Sequence, residues 1–210
     1  LGNGTISSWD LETHRETKLP GSHSQGVTCL AVSPDGRWLA SGSRDRILRI
    51  VDLQKNKLQA TARLPSYVLS LAFTKDSTTV VSSSYHRIAF WEASTGVEID
   101  VWTTKLGRIG TLALSRGRSR LASGAETGKI HLWDISDTGS GDETAVELGS
   151  HQEQVNVVTF SPGGKWLASG STDKTVRLWD VERAEPIAVL KSHRAKVTAL
   201  AFSPDGKWLS

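Results

Sequence analysis

Histidine, serine and aspartate recur at one fixed spacing in this 210-residue chain. One set consists of His151, Ser169 and Asp173. The same two intervals separate the members of a second set: His23, Ser41 and Asp45. Hydrolases use these residue types as nucleophile, general base and orienting carboxylate. Because an enzyme needs only one such set, the repetition favours a structural role, in which buried polar side chains bond to one another and specify packing.

The two sets belong to a longer repeat that runs along the whole sequence. Its marker is a Trp-Asp pair or an equivalent, found at Trp9-Asp10, Val51-Asp52, Trp91-Glu92, Trp133-Asp134 and Trp179-Asp180. The intervals between positions 9, 51, 91, 133 and 179 are 42, 40, 42 and 46. Residues 32–53 and 160–181 are identical at 12 of 22 positions. Self-similarity at such a period is typical of a repeat architecture.

Each repeat has the pattern of four short strands that are separated by turns. Residues 155–190 contain four runs that are rich in β-branched or aromatic residues, and no helical periodicity persists in them. SerProAspGly or SerProGlyGly joins the first run to the second, and proline and glycine favour a tight turn there. The longest interval contains the low-complexity stretch 136–142, which we expect to extend an outer-strand loop. Units this small must stack to bury their faces.

These motifs resemble the tryptophan–aspartate (WD) repeat family over essentially the whole chain. The resemblance implies an all-β fold: a β-propeller of four-stranded antiparallel blades around a channel, with the first strand of each blade innermost. The chain has five blade equivalents, which we assign to residues 23–63, 64–104, 105–147, 148–190, and a composite of 191–210 with 1–22. The ring either closes at five blades or is part of a larger ring, most often seven-bladed in this family. The absence of Met and the stop at Ser210 favour the larger ring, with flanking domains outside this chain.

In the family that the chain resembles, the His, Ser, Asp and Trp of a blade form a buried hydrogen-bond network. The fourth blade is complete because it also has Trp179, whereas the first has Val51 at the Trp position. In the composite blade these positions belong to His193, Ser210, Asn3 and Trp9. Leu64 and Lys105 replace the His of the second and third blades, so we expect their loops to be less rigid.

Propellers of this family usually bind proteins or peptides on one face. That face is formed by the loops that lead into the inner strands (the leading loops) and by the turns between the second and third strands (the central turns). Transferred to this sequence, the candidate partner-binding residues are Tyr67, Leu69, Tyr85, Arg44, Arg108, Gln154 and Lys196. Both tyrosines of the chain are in this set, and Tyr and Arg are enriched in binding hot spots. We predict that Tyr67, Leu69 and Tyr85, flanked by Arg44 and Arg108, anchor the partner.

Composition argues against several other classes of function. Lys and Arg exceed Asp and Glu by only 25 − 22 = 3, and they are scattered along the chain, so nucleic acid is not an expected partner. His, Cys and carboxylate residues do not recur at metal-ligand spacing, so we expect no metal and no cofactor. Cys29 is the only cysteine, and neither a membrane-spanning run nor a secretory signal is present. We therefore expect a cytoplasmic protein without a membrane partner.

The resemblance implies a non-enzymatic scaffold of the WD-repeat type that binds protein or peptide segments, as one domain of a larger regulatory or assembly protein. The alternative is a propeller that binds a small molecule or a glycan in one pocket per blade. That alternative requires similar residues at equivalent loop positions in every blade. Tyr67, Arg108, Gln154 and Lys196 stand at equivalent positions and are unlike one another, which favours the scaffold.

Overall fold

The structure is a computed structural model that describes residues 4–115, 119–135 and 145–210. The described residues form β-strands joined by turns and loops, and they contain no helix long and apolar enough to cross a membrane. Their strands form four four-stranded sheets, numbered blades 1 to 4 in chain order, and one two-stranded sheet. The predicted all-β architecture of antiparallel four-stranded blades is confirmed. Asn3 and the stretch 136–142 lie outside the described residues.

The chain folds into two compact units. Unit 1 comprises Leu1–Ser84 and Ala89–Ile99, and unit 2 comprises Tyr85–Ile88 and Asp100–Ser210. The strands before blade 2 are β1 (Ser7–Trp9), β2 (Glu16–Lys18), β3 (Val27–Val32), β4 (Trp38–Ser43), β5 (Ile47–Asp52) and β6 (Lys57–Arg63). The first two pair with each other, and the other four form blade 1 in the order β3-β4-β5-β6.

Blades 2 to 4 repeat this order, so that each strand pairs with its neighbours in the chain. The strands of blade 2 are β7 (Ser70–Phe73), β8 (Thr79–Ser84), β9 (Arg87–Glu92) and β10 (Glu98–Thr103). Those of blade 3 are β11 (Ile109–Leu114), β12 (Arg120–Ala125), β13 (Lys129–Asp134) and β14 (Val146–Ser150). Those of blade 4 are β15 (Val155–Phe160), β16 (Trp166–Ser171), β17 (Val176–Asp180) and β18 (Glu185–Leu190). The boundary between the units falls within β9 and β10.

The last residues of unit 2 form a short hairpin. Ala201 and Ser210 exchange two backbone hydrogen bonds of 3.0 Å, and Phe202 forms a bridge with Leu209. The residues that would complete the composite blade, β1 and β2, belong to unit 1. The composite blade therefore stays a prediction.

The predicted turns between first and second strands take the same form in both units. In unit 1, the Ser33 hydroxyl donates to Asp35 and accepts from the backbone N–H of Trp38 at 2.8 Å. Gly36 has a φ of 72°, a left-handed conformation that favours glycine. In unit 2, Trp166 donates in the same way to Ser161 at 3.0 Å. The turn prediction is confirmed in both units.

Glycine lies at the point where one blade meets the inner strand of the next. Within unit 2, a Cβ atom on Gly124 would lie 2.5 Å from Val155 Cγ1, and one on Gly170 would lie 2.6 Å from Val197 Cγ1. Within unit 1, a Cβ atom on Gly42 would overlap Val68 in the same way. Van der Waals contact between carbon atoms is optimal at about 3.5–4.0 Å, so any side chain here would push the blades apart.

We expect Gly170→Ala to lower the free energy of unfolding by about 1–3 kcal/mol, because overpacking a close contact strains its neighbours. Gly163→Ala is the matched control, since a Cβ atom on Gly163 meets nothing within 4 Å. This control should change the free energy by less than about 0.5 kcal/mol. Urea denaturation of both variants measures the difference, and equal stabilities would contradict the close-packing account.

Candidate functional site

The central turn of a blade is hydrogen-bonded to the leading loop of the same blade. In unit 2, the backbone N–H of Glu126 donates to the Arg108 carbonyl at 2.9 Å, and that of Thr172 donates to the Gln154 carbonyl at 3.0 Å. In unit 1, Arg44 donates in the same way to Gly26 at 3.2 Å. The two groups of loop positions that the resemblance indicated are therefore side by side in blades 1, 3 and 4.

In blade 4, a network of side chains joins the leading loop to the central turn. Trp179 Nε1 lies 2.9 Å from Ser169 Oγ, which lies 2.8 Å from His151 Nε2. On the other side of the ring, His151 Nδ1 lies 3.0 Å from Asp173 Oδ2. Asp173 also accepts from the backbone N–H of Gln152 at 3.0 Å. The carboxylate thus holds the leading loop, and the serine holds the middle of the blade.

The donors and acceptors of this network match only if His151 is neutral. The indole donates to Ser169 Oγ, the Ser169 hydroxyl donates to Nε2, and the Nδ1–H donates to Asp173. Burial lowers the pKa of His151, although the charge of Asp173 opposes this shift. Burial by itself would raise the pKa of Asp173, but hydrogen bonds from Thr175, Gln152 and His151 hold it well below its usual range.

Blade 1 has the same histidine, serine and aspartate contacts with a different neighbour. His23 Nε2 lies 2.9 Å from Ser41 Oγ, and His23 Nδ1 lies 2.9 Å from Asp45 Oδ2. Because Val51 replaces the tryptophan, no indole donates to Ser41. On the opposite side of the imidazole ring, Arg49 Nη1 lies 2.8 Å from His23 Nδ1 and 3.4 Å from Asp45 Oδ2. Burial lowers the pKa of His23, and the charge of Arg49 lowers it further.

Blades 2 and 3 keep less of the network. In blade 2, Leu64 is buried at the histidine position, and Trp91 Nε1 still donates to Ser82 Oγ at 2.8 Å. In blade 3, Ser123 Oγ and Trp133 Nε1 are both buried, and neither has a hydrogen-bond partner among the described residues. Lys105, which stands at the histidine position, is exposed.

The structure does not bring the predicted network of the composite blade together within one unit. Trp9, in unit 1, is 62% exposed. His193 and Ser210, in unit 2, are exposed, and Ser210 bonds to the backbone of Ala201. This network stays a prediction.

The serines of blades 1 and 4 are poorly placed for catalysis. Ser169 is 0% exposed and Ser41 is 1% exposed, so a substrate cannot reach either hydroxyl. Ser169 Oγ is also occupied by the Trp179 indole. Within the described residues, no group of three His, Cys, Asp or Glu side chains converges as a metal site would require. In blades 1 and 4, the histidine, serine and aspartate therefore hold the leading loop and the central turn in place.

The candidate partner-binding residues lie at the surface in both units. Unit 1 has Tyr67, which is 43% exposed, half-buried Leu69 and exposed Arg44. The backbone N–H of Val68 donates to the Ser43 carbonyl at 3.2 Å, so Tyr67 and Arg44 lie next to this bond. These three residues therefore share one end of unit 1.

Unit 2 has the other four candidates: Tyr85, Arg108, Gln154 and Lys196. Tyr85 is 45% exposed, and its carbonyl accepts from the backbone N–H of Ile109 at 3.2 Å, which places it beside Arg108. Arg108 and Gln154 are half-buried, whereas Lys196 is exposed.

Two polar residues at the start of inner strands make contacts that the spacing of histidine, serine and aspartate does not predict. Asn156 Nδ2 donates to Thr172 Oγ1 at 3.0 Å and to the Val197 carbonyl at 2.9 Å. Thr28 makes the equivalent contact in unit 1 with the Val68 carbonyl. In both cases the residue is the second of its inner strand. In the sequence, such a residue is recognisable as one polar position within an apolar run.

Comparison with known proteins shows which family and which proteins the chain is similar to. The family model described as "WD domain, G-beta repeat" matches residues 15–52, 142–180 and 184–210. Nuclear distribution protein PAC1 of Coccidioides posadasii (strain C735) is 29% identical over 85% of the chain and 33% of its own length. Apoptotic protease-activating factor 1 of Danio rerio is 25% identical over 85% of the chain and 14% of its own length.

A guanine nucleotide-binding protein subunit beta of Oryza sativa subsp. japonica is 25% identical over 89% of the chain and 53% of its own length. The chain thus spans between 14% and 53% of the length of these three relatives.

Ser169→Ala should lower the free energy of unfolding by about 3 kcal/mol, because it leaves the buried Trp179 N–H and His151 Nε2 without partners. Ser123→Ala is the matched control in blade 3, where the same atom has no partner. The control should leave the free energy of unfolding unchanged or raise it, because it removes a buried hydroxyl that has no partner among the described residues. Urea denaturation distinguishes the two, and a neutral Ser169→Ala would show that the network contributes little.

Stability should fall as the pH is lowered from 8 to 4. Because the folded chain lowers the pKa values of His151 and Asp173, the unfolded chain binds more protons below about pH 6.5 through the histidine and below about pH 4 through the aspartate. His151→Gln should reduce the slope of the first part of this dependence, to which His23 also contributes because burial lowers its pKa too. His14→Gln, at an exposed site, is the control. Urea titrations at several pH values measure the slope, and a gain in stability between pH 7 and 5 would overturn this assignment.

Proposed function

The chain belongs to the WD-repeat family, and we propose that it is a non-enzymatic scaffold that binds protein or peptide segments through its leading loops and central turns. The observation that supports this most directly is that, in the central turns of blades 1 and 4, one side chain fixes the turn while its neighbours are exposed. Asp45 and Asp173 turn inward to hold the loop, while neighbouring side chains turn outward. A rigid loop with exposed side chains binds a partner with little loss of conformational freedom.

The exposed side chains are of types that contribute strongly to interfaces. Tyr67 and Tyr85 each combine a large apolar ring with a polar hydroxyl, and both are more than two-fifths exposed. Arg44 lies next to Tyr67 in unit 1, and Arg108 lies next to Tyr85 in unit 2. Tyrosine and arginine dominate measured hot spots, so these two pairs are the proposed anchors.

The identity of the partner and the role of the chain within a longer regulatory or assembly protein are also proposals, since the relatives are longer than the chain. A cytoplasmic location stays a prediction.

Selection of binders from a library of random peptides tests this function. Tyr67→Ala and Tyr85→Ala, made separately and together, should weaken the selected peptides by about tenfold or more, because a hot-spot side chain contributes 2 kcal/mol or more. Val97→Ala is the control, since Val97 is also a well-exposed side chain but lies in the turn before β10. Retained affinity in the double variant would exclude the tyrosines as anchors, and a library that yields no binders would exclude the function.

A further inference from the structure

The exposed charges at the loop end of unit 2 are mainly positive, because its structural carboxylate is buried. The side chain of Asp173 is 6% exposed and is paired with His151. The exposed or half-buried cations of these loops and turns are Lys105, Arg108, Lys174, Lys191, Arg194 and Lys196. The exposed carboxylates beside them are Glu126 and Glu153. Among the described residues, this end therefore has two exposed carboxylates and six cations.

The turns at the other end of blade 4 and of the last hairpin are balanced. Residues 161–165, 180–184 and 203–207 carry three cations, Lys165, Arg183 and Lys207. They also carry three carboxylates, Asp180, Glu182 and Asp205. The excess of positive charge is thus a property of the leading loops and central turns in the part of unit 2 that the structure describes.

The cations of the loop end lack intramolecular partners. Among the described residues, no carboxylate lies within 4.0 Å of the basic nitrogens of these six side chains, whereas Arg49, Arg120 and Lys129 elsewhere in the chain each have one. Arg108 also has a buried Nε–H without a hydrogen-bond partner. The exposed ammonium groups are therefore available to a ligand, whereas the buried Nε–H of Arg108 is not itself accessible.

Two of these cations, Arg108 and Lys196, share a continuous surface with Tyr85, Gln154 and Thr172. We call these five residues the acidic-peptide surface. Backbone bonds link Tyr85 to the strand that follows Arg108, and Gln154 to Thr172. The position of a Cβ atom on Gly110 lies 3.7 Å from Gln154 Nε2, which connects blade 3 to blade 4. The Val197 N–H donates to the Ser171 carbonyl at 2.9 Å, which brings Lys196 beside Thr172.

We propose that this surface binds an acidic peptide segment. Carboxylates of the segment pair with Arg108 and Lys196, and an apolar side chain of the segment packs on the ring of Tyr85. A guanidinium presents a planar fork of donors that matches a carboxylate, and the glutamine and threonine between the two cations offer hydrogen bonds to the peptide backbone. This inference rests on the proposed function and narrows it to one chemical class of partner.

The test uses fluorescein-labelled peptide pools and the 210-residue chain. One pool carries Asp or Glu at alternate positions, a second carries Lys or Arg there, and a third is unbiased. Anisotropy titrations should show binding of the acidic pool, weakened at higher salt because the exposed charges are screened. Arg108→Glu/Lys196→Glu should weaken that binding by about tenfold or more, since like charges across an interface repel.

Lys165→Glu/Lys207→Glu is the matched control, because it makes the same two-charge change in exposed lysines at the other end of the strands. It should leave the affinity within about twofold, since exposed charges beyond a Debye length are screened. Equal weakening by both double variants would overturn the inference, because net charge and not this surface would then set the affinity.

Other outcomes separate this inference from the proposed function. If unbiased or basic peptides bind and Tyr85→Ala removes their binding, the proposed function stands and the acidic class is wrong. If no pool binds, both are wrong. If single-stranded oligothymidylate binds more tightly than the acidic pool and loses affinity in the Arg108→Glu/Lys196→Glu variant, the surface is a nucleic-acid site and the inference is overturned.

Discussion

The close contact that a glycine of the second strand allows between blades is the constraint on which each unit depends, and the serine before it is the centre of the polar network in blades 1 and 4. Successive side chains of a strand point to opposite faces of the sheet. Ser169 therefore bonds to His151 and Trp179 within its own blade, while Gly170 on the other face leaves room for Val197 of the next inner strand. A larger residue at the glycine would separate the blades, and a residue without a hydroxyl would leave the network without its central member.

The network varies from blade to blade while the strand frame persists. Blade 4 satisfies each member, whereas in blade 1 Ser41 has no indole donor and the Arg49 guanidinium lies on the other side of the ring, beside His23 Nδ1. In blade 3, the serine hydroxyl and the indole are buried without partners among the described residues. Buried polar groups without partners weaken a fold, so the glycine contact and the apolar core must hold blade 3 together. The polar network is thus an addition to a frame that packing already defines.

The same arrangement explains how the loops present a binding surface. The inward-facing carboxylates accept hydrogen bonds from histidine and from backbone N–H groups. These bonds fix the loop and keep the negative charge away from the surface. The neighbouring side chains of Thr172 and Lys174 take no part in this histidine and serine network, and that of Lys174 is exposed. Charge and aromatic character at the loop end therefore follow from residues that the frame does not use.

The sequence by itself determined the strand pattern, the turns and the spacing of histidine, serine and aspartate, because these depend on residues that are near in the chain or repeat at a fixed interval. It also identified Val51 as a departure from the pattern. Only the tertiary structure decided that Arg49 lies beside His23, and that Ser123 and Trp133 lack partners among the described residues. These outcomes depend on which side chain occupies a space that strands distant in sequence enclose, and no local pattern records the shape of that space.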